Sequence, residues 1–354
     1  AGSSKEVKLS LPALQQESGA EYLLNVYAYT KYPSEMIPEG HEVAREQFVL
    51  NGNSYFAGQK STTGAIDMKE ENNVLFFTCG DVRISFNKRN GELNGYRYQD
   101  KMLLGHAPQP QFWRAPTDND FGNRMGILCN VWRTAGQNKE FKGMNVERKD
   151  GAVTLTSIYY LRDVASDYTV KYTVYADGRV EVNGSWKAGN IALPEIPRFG
   201  MQMTLAQEFD QFSWYGRGPW ENYSDRNTAS FIGKYTSTVD EQYVAYIRPQ
   251  ENGNKTDVRW LTLTNKEGFG LRIDGLQPLS VSALRNYPED FDAGLTKSQR
   301  HINDINPRKA VVLHVDLAQR GVGGDNSWGM YPHEPYLLKA KEYTYGYVIS
   351  PVAK

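Results

Sequence analysis

Several things are scarce in this chain, and each shortage closes off a class of function. Cysteine occurs only at Cys79 and Cys129. Two thiols in 354 residues cannot form the disulfide framework of a small secreted domain, and their spacing is neither CxxC nor a Cys/His metal pattern. Two reduced thiols are expected. Histidine is found only at 41, 106, 301, 314 and 333, and no pair has a ligand spacing such as HxxxH. Net charge is almost missing, since 40 Lys and Arg offset 41 Asp and Glu. No nucleic acid or anionic membrane is therefore expected as a partner. No run of about 18 apolar residues exists, so no membrane span is expected. The start, Ala1-Gly2-Ser3-Ser4, has no initiator Met, basic n-region or apolar h-region and reads as a cut or processed end. The compartment stays open, between the cytoplasm and the periplasm of a bacterium for a soluble protein.

Helical periodicity is also rare. The best candidate is Met125 to Trp132, with Met125, Leu128, Cys129 and Trp132 spaced for one face. At about two turns it is a loop element. Short period-two runs dominate instead. Val82, Ile84 and Phe86 alternate with Asp81, Arg83 and Ser85, and Tyr168, Val170, Tyr172 and Val174 with Thr169, Lys171 and Thr173. Strands with one buried face read this way. Asn51-Gly52, Asn90-Gly91, Asn94-Gly95, Asp150-Gly151, Asp177-Gly178 and Asp274-Gly275 suit turn positions with positive φ. Strands without intervening helices predict an all-β fold of antiparallel sheets packed face to face. Residues 1–60 differ from the rest. They hold strands near 21–30 and 44–50 around a Pro-containing stretch, too little to bury a core alone. The Gly, Ser, Thr and Lys-rich segment Gly58 to Gly64 reads as a linker, so a first domain is placed at 1–60 and a second at 65–354.

Four segments are dense in Trp, Gly, Asn and Asp together: 112–122 (FWRAPTDNDFG), 215–226 (YGRGPWENYSDR), 248–253 (RPQENG) and 321–328 (GVGGDNSW). A sugar site needs a flat apolar face for the ring and amide, carboxylate and Arg groups for its hydroxyls. These segments hold both, although Asp and Asn in loops commonly just fasten turns. The glycines at 321–324 lack the Lys-Ser/Thr of a phosphate loop and read as a tight turn that pushes Trp328 outward. His314, inside the apolar run 311–317, reads as a satisfied strand histidine.

In order and spacing, these four segments resemble the successive motifs of the C-terminal domain of glycoside hydrolase family 2 β-galactosidases. The N-terminal piece, with Glu39-Gly40-His41-Glu42-Val43-Ala44, resembles the second half of the immunoglobulin-like domain before it. The resemblance implies a large antiparallel supersandwich related to the galactose-mutarotase fold. It implies a retaining hydrolase of terminal β-D-galactosides whose acid and nucleophile, about 5 Å apart, sit in an upstream (β/α)₈ barrel. The Mg²⁺ and Na⁺ of the full-length enzyme are implied there too. No eight-fold βα alternation occurs in this chain, so neither a catalytic residue nor a cofactor is assigned to it. By resemblance, Trp328 stacks on substrate, with Asp325 and Asn326 beside it, and Asp118, Asn119, Asp120 and Gly122 belong to a mobile loop at the active site. Glu221, Asn222, Glu251 and Asn252 take an architectural role as readily as a binding one. The expected partners are a galactoside or other small sugar, the remaining domains of its own chain and, through open strand edges, another copy. Two alternatives stay open. One is an aldose-1-epimerase-like enzyme, with His301 or His314 as the acid. The other is a free-standing carbohydrate-binding module that binds weakly.

Overall fold

The computed structural model describes residues 2–12, 17, 19–51, 55–56, 64–295 and 300–353. Two compact units result, Ala1–Gly58 and Gln59–Lys354. Most of the expected linker, residues 58–63, lies outside the described residues, as does Gly52 of the first expected turn. No helix among the described residues is long and apolar enough to cross a membrane.

The first unit contributes an antiparallel pair, β1 (Tyr22–Tyr29) and β2 (Glu42–Asn51), in register from Leu24 opposite Phe48 to Ala28 opposite Ala44. The loop between them is tied by Thr30 Oγ1 donating to the Pro38 carbonyl at 2.7 Å. None of the described residues of this unit is buried, because two strands have no layer to pack against. Tyr27, Tyr29, Val43, Phe48 and Val49 are exposed on it.

The second unit opens with a five-stranded meander: β3 (Asp67–Glu71), β4 (Val74–Cys79), β5 (Val82–Asn87), β6 (Glu92–Tyr98) and β7 (Lys101–Met102). Then come β8 (His106–Gln111), two short helices α1 (Asp118–Gly122) and α2 (Met125–Leu128), β9 (Lys139–Lys149), β10 (Ala152–Leu161), β11 (Ser166–Val174) and β12 (Val180–Lys187). They are followed by β13 (Arg198–Ala206), β14 (Gln211–Gly218), β15 (Phe231–Thr238), β16 (Lys255–Thr264), β17 (Gly270–Leu284), α3 (Pro288–Phe291), β18 (Ala310–Gln319) and β19 (Tyr343–Val352). Strands β8 to β19 form one twelve-stranded antiparallel sheet.

That sheet forks at β17. The first half of β17, Gly270 to Gly275, pairs with β19 and so leads to β12, β11, β10 and β9. Its second half, Ser280 to Leu284, pairs with β18 and leads to β13 and β8. The two arms face each other. Tyr345 Oη of β19 donates to the Val315 carbonyl of β18 at 2.9 Å, and Tyr347 Oη meets Met201 Sδ of β13 at 3.2 Å. The meander packs on the same face of the longer arm, farther along it, with Phe86 against Tyr172 at 5.1 Å and Ser157 Oγ donating to the Gly91 carbonyl. The result is the all-β fold of antiparallel sheets packed face to face expected from the alternation and turns, in the supersandwich form that the resemblance implies.

The alternation is seen directly. Val82, Ile84 and Phe86, like Tyr168, Val170, Tyr172 and Val174, are buried. Gly91, Asp150, Gly151 and Gly178 take positive φ in turns, as expected. Asn94-Gly95 and Asp274-Gly275 do not. They lie within β6 and β17, where the glycines allow close approach. A Cβ on Gly275 would stand 2.4 Å from the Gln277 carbonyl, where β17 bends toward its second partner. The Met125–Trp132 segment is α2 followed by a 3-10 turn at Asn130–Trp132. Met125, Cys129 and Trp132 are buried, but Leu128 is exposed, because within α2 it flanks Met125 on the side away from Cys129. Cys79 and Cys129 are buried free thiols, and burial pushes the Cys129 thiol up to about 12.

Phe112, fully buried, touches the rings of Trp132, Tyr168 and Phe199 at 5.7, 5.7 and 5.8 Å. Phe112→Ala is expected to cost about 3–5 kcal/mol through a cavity shared by both arms, read as a shift in the denaturant midpoint at unchanged slope.

Candidate functional site

The fork fixes where the four dense segments meet. Val281 of β17 lies opposite Lys255 on one side and Val315 on the other, so the start of β16 sits beside the last part of β18. Segment 248–253 enters β16, and segment 321–328 leaves β18. Strand β14, paired with β16, delivers segment 215–226, and β8, joined to β18 through β13, delivers 112–122.

Buried charges then tie these loops together. Arg114 Nη1 donates to Asp120 Oδ2 at 2.5 Å and Arg320 Nη1 to Asp120 Oδ1 at 2.6 Å, with all three side chains buried. Thr117 caps α1, and its N–H and Oγ1 also donate to Asp120 Oδ2, at 2.8 and 3.0 Å. Arg320 Nε reaches Glu195 at 2.7 Å, and Arg114 Nη2 reaches the Gly321 carbonyl at 3.1 Å. Burial alone would lower the Arg114 pKa, but the Asp120 and Glu251 carboxylates outweigh it and raise it. A second cluster lies alongside. Arg198 Nη2 pairs with Glu251 Oε1 at 2.9 Å, and its Nε stands 3.2 Å from Asp316. One cation thus faces two buried acids, and desolvation, reinforced by Glu251, pushes Asp316 up to about 8 despite Arg198.

Further bonds join the loops pairwise. Gln250 Nε2 donates to Asp118 Oδ2 at 3.2 Å, and the Asp118 N–H donates back to Gln250 Oε1 at 3.3 Å. The Gly253 N–H donates to Glu221 at 2.7 Å, and Asn222 Oδ1 accepts from Thr256 N and Oγ1 at 2.8 and 2.6 Å. The Gly323 N–H donates to Asp225 Oδ2 at 2.7 Å, and Asn119 Nδ2 donates to the Asn326 carbonyl at 3.2 Å. Gly122 lies against the turn after Ser327, where a Cβ would be 2.4 Å from the Trp328 carbonyl oxygen.

Between the loops is an open cleft of about 490 Å³ to which all four segments contribute, through Thr117, Asp118 and Asn119, then Tyr223, Asp225 and Arg226, then Gln250 and Glu251, then Val322 to Asp325 and Ser327. The residues expected at a site are placed as follows. Asp118, Asn119 and Asp325 line it. Asp325 also meets His333 Nε2 at 2.7 Å. Trp328 follows the lining Ser327 and is 82% exposed. Asn326 turns its Oδ1 back on its own loop, accepting from the Trp328 N–H at 2.9 Å. Asp120 is buried in the ion cluster, and Gly122 serves close packing. Glu251, left between an architectural and a binding role, pairs with Arg198 and lines the cleft. Sequence reasoning missed Arg198, Arg320, Glu195 and Asp316. Their signal was charge set at the ends of, or inside, otherwise apolar strands. His314 is a strand histidine bonded to Gln202 at 3.0 Å and to Ser282 at 3.3 Å, and burial with Arg198 nearby holds its pKa far below the ordinary value. Among the described residues no group of three or more His, Cys, Asp or Glu could hold a metal ion.

The profile of the family described as Beta galactosidase small chain matches residues 78–349. The chain belongs to the β-galactosidase small-chain family. A second profile, Beta-galactosidase, domain 4, matches residues 1–51 of this small-chain family member. A β-galactosidase of Priestia megaterium is 35% identical over 349 residues, covering 98% of this chain and 33% of the relative. One of Halalkalibacterium halodurans is 30% identical over 345 residues, with 96% and 33% covered, and one of Streptococcus thermophilus 28% over 341, with 95% and 32% covered. The small-chain region and the preceding segment together span about a third of the length of these curated relatives.

Asp316 gives the site a pH signature. Its pKa is raised from 3.8 to about 8, so the folded state holds a proton that the unfolded state has lost across that interval. The associated stability is fully present below the lower value and is lost as pH rises through the upper one. Denaturation across this range should show the wild type losing stability relative to Asp316→Asn, which keeps the neutral shape. Parallel profiles would contradict the assignment.

Proposed function

We propose that the chain is the non-catalytic C-terminal part of a retaining β-galactosidase, completing the pocket for terminal β-D-galactosides and contributing to assembly. The observation that carries this reading is the meeting of all four dense segments at one cleft, with Trp328 exposed on the loop that lines it. An indole face covers the axial C–H surface of a pyranose, and the polar loops around it satisfy hydroxyls. The α1 loop is well placed to act with it, because Asn119 and Gly122 contact the turn carrying Trp328. In this reading the acid and nucleophile come from the part of the enzyme that the relatives have and this chain does not span. The exposed apolar side chains of the β1–β2 pair are then where the remaining domains of the same protein pack.

The test has two arms. The purified chain should not hydrolyse a nitrophenyl β-galactoside. In the full-length enzyme, Trp328→Ala should raise KM for a disaccharide about 2- to 10-fold, the factor for one lost ring contact of about 0.5–1.5 kcal/mol, with a smaller change in kcat. Turnover that stays with the isolated chain through purification, or an unchanged KM in the variant, would refute the reading.

A further inference from the structure

Behind the cleft, the Arg198 cluster has a cationic donor to spare. Arg198 is 1% exposed and carries N–H donors on each guanidinium nitrogen. Nη2 donates to Glu251 Oε1 at 2.9 Å, while Nε, although 3.2 Å from Asp316, lacks the geometry of a hydrogen bond. Nη1 has no partner among the described residues. Buried donors, charged ones above all, are nearly always satisfied. Arg198 also lines a small cavity of about 10 Å³ against α3, with Glu251, Ser282, Asn286, Phe291 and His314, all of them buried. That is close to the least that holds one water, on the order of 10–15 Å³.

The far wall of this cavity has hydrogen bonds of settled direction. Register places Ser282 opposite His314 and His314 opposite Gln202. Gln111 Oε1 accepts from the Trp113 N–H at 3.1 Å, so Gln111 Nε2 is the group aimed at Gln202, which presents Oε1 to it at 3.4 Å. His314 Nε2, 3.0 Å from the same Oε1, therefore carries a proton. Burial, with Arg198 nearby, holds the His314 pKa far below its ordinary value, so the ring is neutral and Nδ1 is bare. Ser282 Oγ, 3.3 Å from Nδ1, donates to it and keeps its own lone pairs for another donor.

We propose that this cavity binds one ordered water, which accepts from Arg198 Nη1 and donates to Ser282 Oγ, closing a hydrogen-bonded chain from Glu251 at the cleft to the Trp113 N–H. Charge selects a neutral ligand over an ion. Arg198 and Glu251 both line the cavity and already pair with each other, so an anion would meet Glu251 and a cation Arg198. The Asp316 carboxyl on the other flank of Arg198 is held up to about 8 and adds no charge below that pH. A water both donates and accepts, which is what a bare cationic donor on one wall and a hydroxyl lone pair on the other require. The chain then ties segment 248–253 to segment 112–122 through β17, β18, β13 and β8, without a further ion pair.

High-resolution crystal structures of this chain, from crystals grown in bromide and in rubidium salts, test the site. One oxygen-sized peak is expected within hydrogen-bonding distance of Arg198 Nη1 and Ser282 Oγ, with no anomalous signal in either salt. No peak, an anomalous one, or Nη1 bonded to a protein acceptor would overturn the water. Nitrogen-15 spectra of the imidazoles should show His314 protonated at Nε2 and bare at Nδ1. The reverse tautomer would break the chain and overturn the proposal. Ser282→Ala should speed hydrogen exchange of the 250–253 amides about tenfold, the factor for one lost hydrogen bond, while amides of β10, β11 and β12 keep their protection. Unchanged exchange at 250–253 would overturn the linkage.

Discussion

One carboxylate, Asp120, holds this end of the molecule together. It accepts from two buried guanidinium groups and from both donors of Thr117; Arg114 and Thr117 lie in its own segment, and Arg320 comes from the far end of the chain. Arg114 follows β8, Arg320 follows β18 and Thr117 begins α1. Desolvating such charges is expensive, and swapping in apolar side chains can raise stability. What apolar packing does not supply is direction. A carboxylate fixed by two forked cations has one geometry, and so do the loops attached to it. Arg198 repeats the arrangement with Glu251 and Asp316, and in that cluster burial, with Glu251 nearby, pushes the Asp316 carboxyl up to about 8. The loops of the cleft are thus fastened from beneath, and their upper faces are left for other contacts.

The clusters can form only because the sheet forks. Were β17 paired with one neighbour along its length, the start of β16 would not lie beside the end of β18. The bend between the two halves is where Gly275 tolerates a carbonyl that a side chain would displace. Backbone pairing, glycine and buried charge therefore act in sequence: the fork brings the loops near, and the ions fix them.

Much of this was legible in the residues. The alternation at 82–86 and 168–174 marked strands because a half-buried sheet imposes a period of two. The four dense segments were marked by composition, and they meet at one cleft although residues 118 and 325 are far apart in sequence. The misreadings are also physical. Asn94-Gly95 and Asp274-Gly275 have turn composition, but glycine serves close packing within a strand as well as positive φ. Leu128 keeps helical spacing, but in α2 it flanks Met125 on the side away from Cys129 and so meets solvent. Asp120, read as part of a mobile loop, is buried against two cations, and Asn326, read beside the stacking tryptophan, turns its Oδ1 back on its own loop. Composition cannot say which of several Asp and Asn residues turns inward. Arg198 and Arg320 were missed because a lone charge beside an apolar strand does not reveal its partner.

The claim that buried ion pairs at Asp120 hold the cleft loops is tested most directly by hydrogen exchange on Asp120→Asn, a change of charge with little change of shape. Amides of 117–124 and 321–330 should lose protection while those of β10, β11 and β12 keep theirs. Unchanged protection in the loops, or uniform loss across the whole unit, would contradict it.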